Sequence, residues 1–324
     1  MQDIQHAHSP LTSFIIPCYN VPTALLRECI QSVLSLPLND NEREIIIVDD
    51  GSDSSPINEI QEITERCLYI RQRNRGLPSA RNAGLRIASG EYVQFIDGDD
   101  KLLPAAYAAV MDTARETDAD VTMFRATARE NATTKSAFKP KKGYTVTPGR
   151  TYMRDNNLRA AAWGYLFKRA IHDGLAFDES LLSHEDEDFT PRLLLRAERL
   201  CDTGMPAYYY RRRDGSIMSA ADDSTKRGRL TNKEAVIMRL RTLAETVPDE
   251  DKPAIQRRTA QLTMDYLYDI IHYTHESTAL EEAVSRLREN GLFPLPDKRY
   301  TTKYVAFRMA TASKMTRNLM LRML

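Results

Sequence analysis

Residues 90–100 read GEYVQFIDGDD, an apolar run that ends abruptly in three carboxylates. The aromatic and β-branched residues from Tyr92 to Ile96 are typical of a buried strand. Comparable runs occur at 13–16, 44–48, 68–72 and 120–124, and helical patterns separate them. Strands that alternate with helices in this way predict an α/β fold, with a mostly parallel sheet covered by helices on both faces. One of these helices is expected to begin at Ser55, because serine before proline is a favourable helix start.

Polar residues stand at the carboxyl ends of three predicted strands. PCYN (17–20) follows the first strand, DDGSD (49–53) the second and DGDD (97–100) the fourth. In parallel sheets, ligands bind beyond the carboxyl ends of the strands. The sequence therefore predicts an acidic ligand site at one edge of the sheet.

The carboxylates of Asp97 and Asp99 flank Gly98. Such a pair suits a hard divalent cation that keeps several waters and shares its remaining positions with substrate phosphates. Gly98 allows the backbone to approach a ligand closely. The alternative is a solvated turn in which Asp100 caps the following helix.

The order and spacing of these motifs resemble those of the inverting nucleotide-sugar transferases of glycosyltransferase family 2. The matching segments are FIIPCYN (14–20), IVDDGSD (47–53), NRGL (74–77), ARNAG (80–84) and GEYVQFIDGDD (90–100). Further along, WGYLFKR (163–169), the Glu185-Asp186 pair and YYRRRDGSI (209–217) resemble segments of bacterial polysaccharide transferases. The resemblance implies a Rossmann-like GT-A catalytic domain over residues 1–225, followed by an α-helical domain over residues 226–324.

The resemblance also implies roles for individual residues on the donor side. Donor-binding residues would be Pro17, Tyr19, Asp50, Arg81 and Asp97, with Tyr19 beside the nucleotide base and Asp50 accepting a base N–H. Asp99, together with Asp97, would bind Mn²⁺ or Mg²⁺. Such an ion stabilises the negative charge that develops on the leaving diphosphate.

On the acceptor side, the resemblance makes Asp186 the general base. Inversion requires the acceptor hydroxyl to attack opposite the leaving diphosphate, and a carboxylate within hydrogen-bond reach can take its proton. Residues at the acceptor or the diphosphate would be Trp163, Glu185, Arg211 and Arg213. The alternatives are a solvated helix start for the acidic run at 185–188, a core tryptophan at 163 and a surface arginine at 213.

Composition excludes other classes of protein. The 324 residues contain 45 Lys and Arg against 45 Asp and Glu, so the chain is not a generally basic nucleic-acid binder. Four cysteines without C-x-x-C spacing indicate neither a disulfide framework nor a cysteine zinc site. No window approaches the roughly 18 apolar residues of a spanning helix, and we expect a cytoplasmic protein.

The charge is unevenly distributed along the chain. Residues 298–324 contain seven basic residues and no acidic one. Met309, Met315 and Leu319 fall on one helical face, with Lys314 and Arg317 opposite. A basic amphipathic helix of this kind can contact the inner face of the cell membrane. It can equally pack on the catalytic domain or on a second copy in a homodimer.

Taken together, these features predict a metal-dependent inverting hexosyltransferase. Its donor would be a UDP-sugar, and its acceptor a hydroxyl of a glycan or lipid-linked glycan in surface polysaccharide biosynthesis. One alternative is an inactive relative that only binds nucleotide or glycan, although such a protein would not need a base at Asp186. Another is a sugar nucleotidyltransferase, but that class would carry a glycine-rich basic loop where this chain has PCYN.

Overall fold

The computed structural model of the chain describes residues 9–61, 65–129, 143–212 and 222–323. In these residues nine strands form one sheet, in the order β3-β2-β1-β4-β8-β6-β9-β5, with β7 also paired to β9. The strands are β1 (Thr12–Cys18), β2 (Arg43–Asp49), β3 (Leu68–Arg71), β4 (Tyr92–Phe95), β5 (Lys101–Leu102), β6 (Val121–Thr127), β7 (Val146–Thr147), β8 (Tyr165–Lys168) and β9 (Leu200–Tyr209).

The parallel part of the sheet is the part that the sequence predicts best. β1 pairs in parallel with both β2 and β4, and β2 pairs in parallel with β3. The register places Cys18 opposite Asp49, so the loops after β1 and β2 leave the sheet side by side. The loops that follow β1, β2 and β4 therefore lie at the same edge of the sheet, as predicted.

The rest of the sheet is mixed rather than mostly parallel. β8 lies between β4 and β6 and runs antiparallel to both. β9 is parallel to β6, whereas β5 and β7 are antiparallel to β9. The mixed character arises because β8 and β9 come from a later part of the chain and extend a sheet that the first four strands begin.

Three helices pack on the sheet: α1 (Thr23–Leu34), α2 (Leu77–Ile87) and α3 (Pro104–Thr117). α2 approaches β1 very closely, because a Cβ added at Gly84 would lie 2.3 Å from Ile15 Cγ2. Where a helix is expected from Ser55 to about Arg66, the structure begins with a short 3₁₀ segment, Pro56–Glu59, and Gln61 is α-helical; residues 62–64 lie outside the described part, so the rest of this helix stays a prediction. The Ser55 hydroxyl does not cap it but hydrogen-bonds to the Tyr69 hydroxyl at 2.8 Å.

The chain divides into two compact units. The first contains the sheet and comprises the described parts of Met1–Gly149, Ala160–Leu182 and Arg192–Asp214. The second comprises Arg150–Arg159, Ser183–Pro191 and the described part of Gly215–Leu324. The domain boundary expected between residues 225 and 226 stays a prediction.

The predicted C-terminal helical region is confirmed. The remaining helices are α4 (Gly149–Asp155), α5 (Glu185–Leu195), α6 (Asp223–Thr246), α7 (Lys252–Thr274), α8 (Ser277–Glu289), α9 (Thr302–Thr311) and α10 (Lys314–Met323). α6 and α7 pack against each other, and α7 also packs against α8 and α9.

Candidate active site

The loops after β1 and β2 are joined by Asn20. Its backbone is left-handed (φ 50), and its N–H donates to Ser52 Oγ at 3.0 Å. Its side chain exchanges two hydrogen bonds with Asp53, one from Nδ2 to Oδ2 at 3.0 Å and one from the Asp53 N–H to Oδ1 at 2.9 Å. Pro17 is buried in β1, whereas Tyr19 is exposed beside the joined loops. The Tyr19 ring is therefore accessible to a ligand at this edge.

Asp50 is buried, and its carboxylate holds the loop that follows β3 through hydrogen bonds. Its carboxylate accepts hydrogen bonds from Gln72 Nε2 (2.7 Å), the Arg75 N–H (3.0 Å) and the Gly76 N–H (2.7 Å). Gly51 must be glycine here, because its φ is 78 and a Cβ would lie 2.6 Å from the Asn74 nitrogen. Asp50 thus fixes the segment that contains the NRGL motif, and its role toward a nucleotide base stays a prediction.

Asp97 is held from two sides. Arg81 Nη2 donates to Asp97 Oδ1 at 3.1 Å, and the Asp97 N–H donates to the Tyr208 hydroxyl at 3.0 Å. The Arg81 guanidinium is buried, with its Cζ 5.9 Å from the ring centroid of Phe95 and 5.3 Å from that of Phe177. The described contacts of Arg81 therefore orient Asp97, and donor contact by Arg81 stays a prediction.

Asp100 is buried and does not cap α3, contrary to the alternative considered from the sequence. The residue before α3 is Leu103, which makes no capping hydrogen bond. Asp100 instead accepts the Arg211 N–H at 2.8 Å. Burial, reinforced by the neighbouring charge of Asp97, raises the pKa of Asp100 to about 8. Burial therefore favours the neutral form of Asp100.

Arg211 also binds the loop at 97–100. Its Nε donates to the Asp99 carbonyl oxygen at 3.0 Å, and its Nη2 donates to Glu28 Oε2 at 2.7 Å. No motif of the sequence marks Glu28, because it lies on α1 at an ordinary exposed position. Contact of Arg211 with a diphosphate or an acceptor stays a prediction.

The carboxylates of Asp97 and Asp99 fit a divalent cation that shares its coordination with substrate. Both residues are partly exposed, so their carboxylates can be reached from solvent. Across the described ranges, no group of three or more His, Cys, Asp or Glu could hold a metal by itself. Mg²⁺ sites commonly use one or two carboxylates and take their other ligands from water and phosphates, so two carboxylates are sufficient.

Trp163 belongs to an aromatic stack that contacts the loop with Asp97 and Asp99. Its ring is stacked on Tyr208, with centroids 4.6 Å apart and planes inclined by 16°. Its carbonyl oxygen accepts a hydrogen bond from Gln94 Nε2 at 3.0 Å. Tyr208 was not among the residues expected at the site, yet it connects Trp163 to the backbone of Asp97. Contact of Trp163 with an acceptor stays a prediction.

The Glu185-Asp186 pair lies at the start of α5 and belongs to the second unit. Glu185 is buried and Asp186 is partly exposed. Arg213 lies outside the described residues. The first unit thus contains the predicted residues Pro17, Tyr19, Asp50, Arg81, Asp97, Asp99, Trp163 and Arg211, and the second contains Glu185 and Asp186.

A comparison with protein families agrees with the fold and the acidic strand ends. The profile of "Glycosyl transferase family 2" matches residues 13–178, about half of the chain. This chain therefore belongs to glycosyltransferase family 2.

Curated relatives agree with this assignment. The chain is 30% identical over 221 residues to the "Uncharacterized glycosyltransferase EpsJ" of Bacillus subtilis. The aligned region covers 64% of this chain and 63% of that protein. It is 29% identical over 218 residues to the "Poly(ribitol-phosphate) beta-glucosyltransferase" of Bacillus spizizenii, covering 64% of this chain and 33% of that protein. The matches thus span less than two thirds of each of these relatives.

Two solved structures share the fold. S. aureus TarS 1-349 in complex with UDP-GlcNAc has a TM-score of 0.57 at 19% identity, covering 86% of this chain and 88% of that one. The mannosyltransferase PcManGT from Pyrobaculum calidifontis, in complex with GDP-Man and Mn²⁺, has a TM-score of 0.57 at 14% identity, covering 96% and 88%. At these identities the likeness concerns the fold alone, and it confirms the predicted GT-A architecture.

Proposed function

We propose that this chain is a metal-dependent inverting glycosyltransferase that transfers a sugar from a UDP-linked donor to a hydroxyl of a glycan or lipid-linked glycan in surface polysaccharide biosynthesis. The observation that carries the proposal is the fixed, partly exposed carboxylate of Asp97 beside Asp99, at the carboxyl edge of the parallel strands. The crystallised complexes of structural neighbours with UDP-GlcNAc and GDP-Man support a nucleotide-sugar donor.

In this proposal Asp97 and Asp99 hold Mn²⁺ or Mg²⁺. The ion, when bound, stabilises the negative charge that accumulates on the leaving diphosphate. Arg81 and the Tyr208 hydroxyl keep Asp97 in one orientation. Tyr19 stacks on the nucleotide base, and Asp50 maintains the loop at 72–76 that borders the site.

Asp186 is the proposed general base. It lies in the first turn of α5 and is partly exposed, so an acceptor hydroxyl can reach it. The carboxylate takes the hydroxyl proton as the new glycosidic bond forms and the sugar–phosphate bond breaks. The configuration at the anomeric carbon inverts because attack occurs opposite the diphosphate.

We also propose that the protein is cytoplasmic and contacts the inner face of the cell membrane through α9 and α10. Met309, Met315 and Leu319 are 65%, 79% and 57% exposed, which is unusual for large apolar side chains. Lys314 and Arg322 are exposed in the same two helices, and an anionic leaflet complements their charge. In the described chain, no helix is both long and apolar enough to span a bilayer, so this contact would be peripheral.

Donor and acceptor assays test the proposal directly. UDP-, GDP- and dTDP-sugars are offered with Mn²⁺, and melting temperature and nucleoside diphosphate release are measured with and without lipid-linked glycan. We expect release with a UDP-sugar and its loss in Asp99→Asn, while the free energy of unfolding changes by less than about 0.5 kcal/mol because the side chain is partly exposed.

Three outcomes would contradict the proposal. Thermal stabilisation by a nucleotide sugar without release would identify a binding protein. Pyrophosphate release from a nucleoside triphosphate and a sugar phosphate would identify a nucleotidyltransferase. Release that is unchanged in Asp99→Asn would exclude the proposed metal site.

A further inference from the structure

The acidic turn that begins α5 is held by the C-terminal helices of the same unit. Arg258 of α7 forms an ion pair with Glu187, one residue after the proposed base. Asn232 Nδ2 of α6 donates to Ser183 Oγ at 3.1 Å, just before the turn. The turn is therefore fixed on both sides of Asp186 by residues that lie outside every motif of the family resemblance.

Arg258 also ties the turn to a second segment. Its Nη1 donates to the Leu158 carbonyl oxygen at 2.8 Å, while its Nη2 contacts Glu187. The side chain is only 5% exposed. A guanidinium at this depth needs partners on several sides, because burial disfavours its charge. Burial lowers the pKa of Arg258 to about 10, and the negative charges of Asp265 and Asp186 oppose that shift.

The groups around the turn are mainly cationic. His184 has a left-handed backbone (φ 64), and burial lowers the pKa of its imidazole to about 3. The positive charges of Lys233, Arg229 and Arg258 lower it further. The charged groups that face the turn from α6 and α7 are thus Arg229, Lys233, Arg258 and Asp265, the last of which interacts with both Lys233 and Arg258.

We infer that Arg258 is a positioning residue, which holds the Glu185-Asp186 turn so that Asp186 can accept the proton of the acceptor hydroxyl. This inference rests on the proposed function, and it gives the C-terminal helical region a part in the reaction. Arg258 acts through its ion pair with Glu187 and its charge beside Asp186, and it does not itself touch the reacting atoms.

Arg257 provides a matched control on the same helix. It is 8% exposed, and its guanidinium donates to the Arg154 carbonyl oxygen at 2.7 Å and to Asn157 Oδ1 at 3.1 Å. It therefore matches Arg258 in residue type and in low exposure, and both arginines bind the segment at 150–159, but the polar partners described for Arg257 do not include the turn at 183–188. Arg257→Met and Arg258→Met should lower the free energy of unfolding by similar amounts. A difference in catalysis between the two variants would therefore arise from the turn that contains Asp186.

The positioning role predicts a particular change in the steady-state kinetics of Arg258→Met. Arg258→Met should lower kcat at least about tenfold with little change in the KM for the donor, since the loss affects a proton transfer and not donor binding. The acidic limb of the pH profile should move to higher pH, because a cation beside the base is lost. Arg258→Lys keeps the charge and should restore the pH profile and part of kcat, and Arg257→Met should leave the pH profile unchanged.

Glu187→Gln tests the same contact from the other side. If the ion pair is the means of positioning, the double variant Glu187→Gln with Arg258→Met should be no slower than Arg258→Met alone. Additive losses would mean that the two residues act independently and would overturn the inference.

A readout without turnover separates this inference from the proposed function. Hydrogen–deuterium exchange should accelerate in residues 183–188 for Arg258→Met and not for Arg257→Met, whereas both substitutions remove a hydrogen bond to residues 150–159. Full transfer activity in Asp186→Asn would overturn the proposed base, whatever Arg258 does. An inactive Asp186→Asn together with an Arg258→Met that matches Arg257→Met in kcat, pH profile and exchange would overturn the positioning role alone.

Discussion

Arg81 Nη2 lies 3.1 Å from Asp97 Oδ1, and the guanidinium that makes this contact is buried beside the rings of Phe95 and Phe177. A buried cation thus orients a carboxylate that remains partly open to solvent. The contact with Arg81 fixes Asp97 Oδ1, while the side chain as a whole stays partly exposed. We expect the affinity of the site for Mn²⁺ to depend on this internal ion pair.

Replacing Arg81 tests that dependence. Arg81→Met should destabilise the protein by about 1–3 kcal/mol, since it removes a charge-assisted hydrogen bond to a carboxylate that water can still partly solvate. Mn²⁺ should recover part of this loss, because the cation restores positive charge beside Asp97. Urea unfolding with and without Mn²⁺ measures both effects. Equal destabilisation at every Mn²⁺ concentration would show that the metal does not bind at Asp97.

The close approach of α2 to β1 makes a separate prediction. Gly84→Ala should destabilise the protein by about 1–3 kcal/mol, because the new methyl group overlaps Ile15 and the helix must shift. Gly228→Ala is the control, since Gly228 lies within α6 and a Cβ there meets nothing within 4 Å. That substitution should stabilise by about 0.5–1 kcal/mol. Thermal or urea unfolding compares the two, and a neutral Gly84→Ala would contradict the described packing.

His184 predicts a loss of stability in acid. Its folded pKa of about 3 lies below the ordinary 6.5, so the unfolded chain binds the proton first. The stability that this group contributes is present above pH 6.5 and declines as the pH falls toward 3, by at most about 1.4 kcal/mol per pH unit. His184→Asn should weaken this dependence, and asparagine tolerates the left-handed backbone. Urea unfolding over this pH range measures it.

His275 is the control for that experiment. Its backbone is also left-handed (φ 53), but its side chain is exposed. His275→Asn should retain the pH dependence of the unmodified protein. A His184→Asn variant that loses stability in acid as steeply as His275→Asn would show that His184 is not the group responsible.

The exposed apolar residues of α9 and α10 predict binding to anionic vesicles. Phosphatidylcholine vesicles that contain phosphatidylglycerol should pellet the protein, and salt should weaken the binding. The triple variant Met309→Ser, Met315→Ser and Leu319→Ser should bind at least about tenfold more weakly, because each buried apolar side chain contributes about 1.5 kcal/mol. Leu68→Ser with Ile87→Ser removes exposed apolar residues elsewhere and should bind normally.

Sedimentation velocity distinguishes lipid from a second copy of the chain. A triple variant that turns a dimer into a monomer and leaves vesicle binding unchanged would assign these helices to a homodimer. Unchanged vesicle binding without a change in mass would also contradict the membrane proposal.

The parallel strands and the acidic edge were predictable because their signals are local. The strand at 44–48 contains four consecutive β-branched apolar residues at 45–48, and the carboxylates of Asp49 and Asp50 follow directly. β9 was not predicted, since its LCDTGMPAYY sequence contains Gly204 and Pro206 and resembles a turn. Pairing with β6 across about 80 residues of sequence overrides that local preference.

The prediction from helical periodicity that Arg317 faces solvent is wrong for a similar reason. It assigned this residue to the solvent face of the tail, but Arg317 is buried and pairs with Glu281 at 2.6 Å. The tail also forms two helices, and the second begins where the side chains of Ser313 and Thr316 cap each other's N–H groups. Hydrophobic spacing within one helix contains no information about an ion-pair partner on another helix.

Asp100 and Ser55 show the same limit for capping residues. Each has the residue type of an N-cap and precedes a predicted helix, but each hydrogen-bonds elsewhere, Asp100 to Arg211 and Ser55 to Tyr69. Local competition between a cap and a tertiary partner is decided by residues far along the chain. The site residues that sequence missed, Tyr208 and Glu28, act through such distant contacts.

The stack of Trp163 on Tyr208 has an experimental use. Trp163 is the single tryptophan of the chain, and its stacking partner carries the hydroxyl that accepts the Asp97 N–H. Movement of the DGDD loop would therefore change the environment of the only indole. The protein contains its own optical probe, and the intrinsic fluorescence of the unlabelled enzyme can follow ligand arrival at this loop in real time.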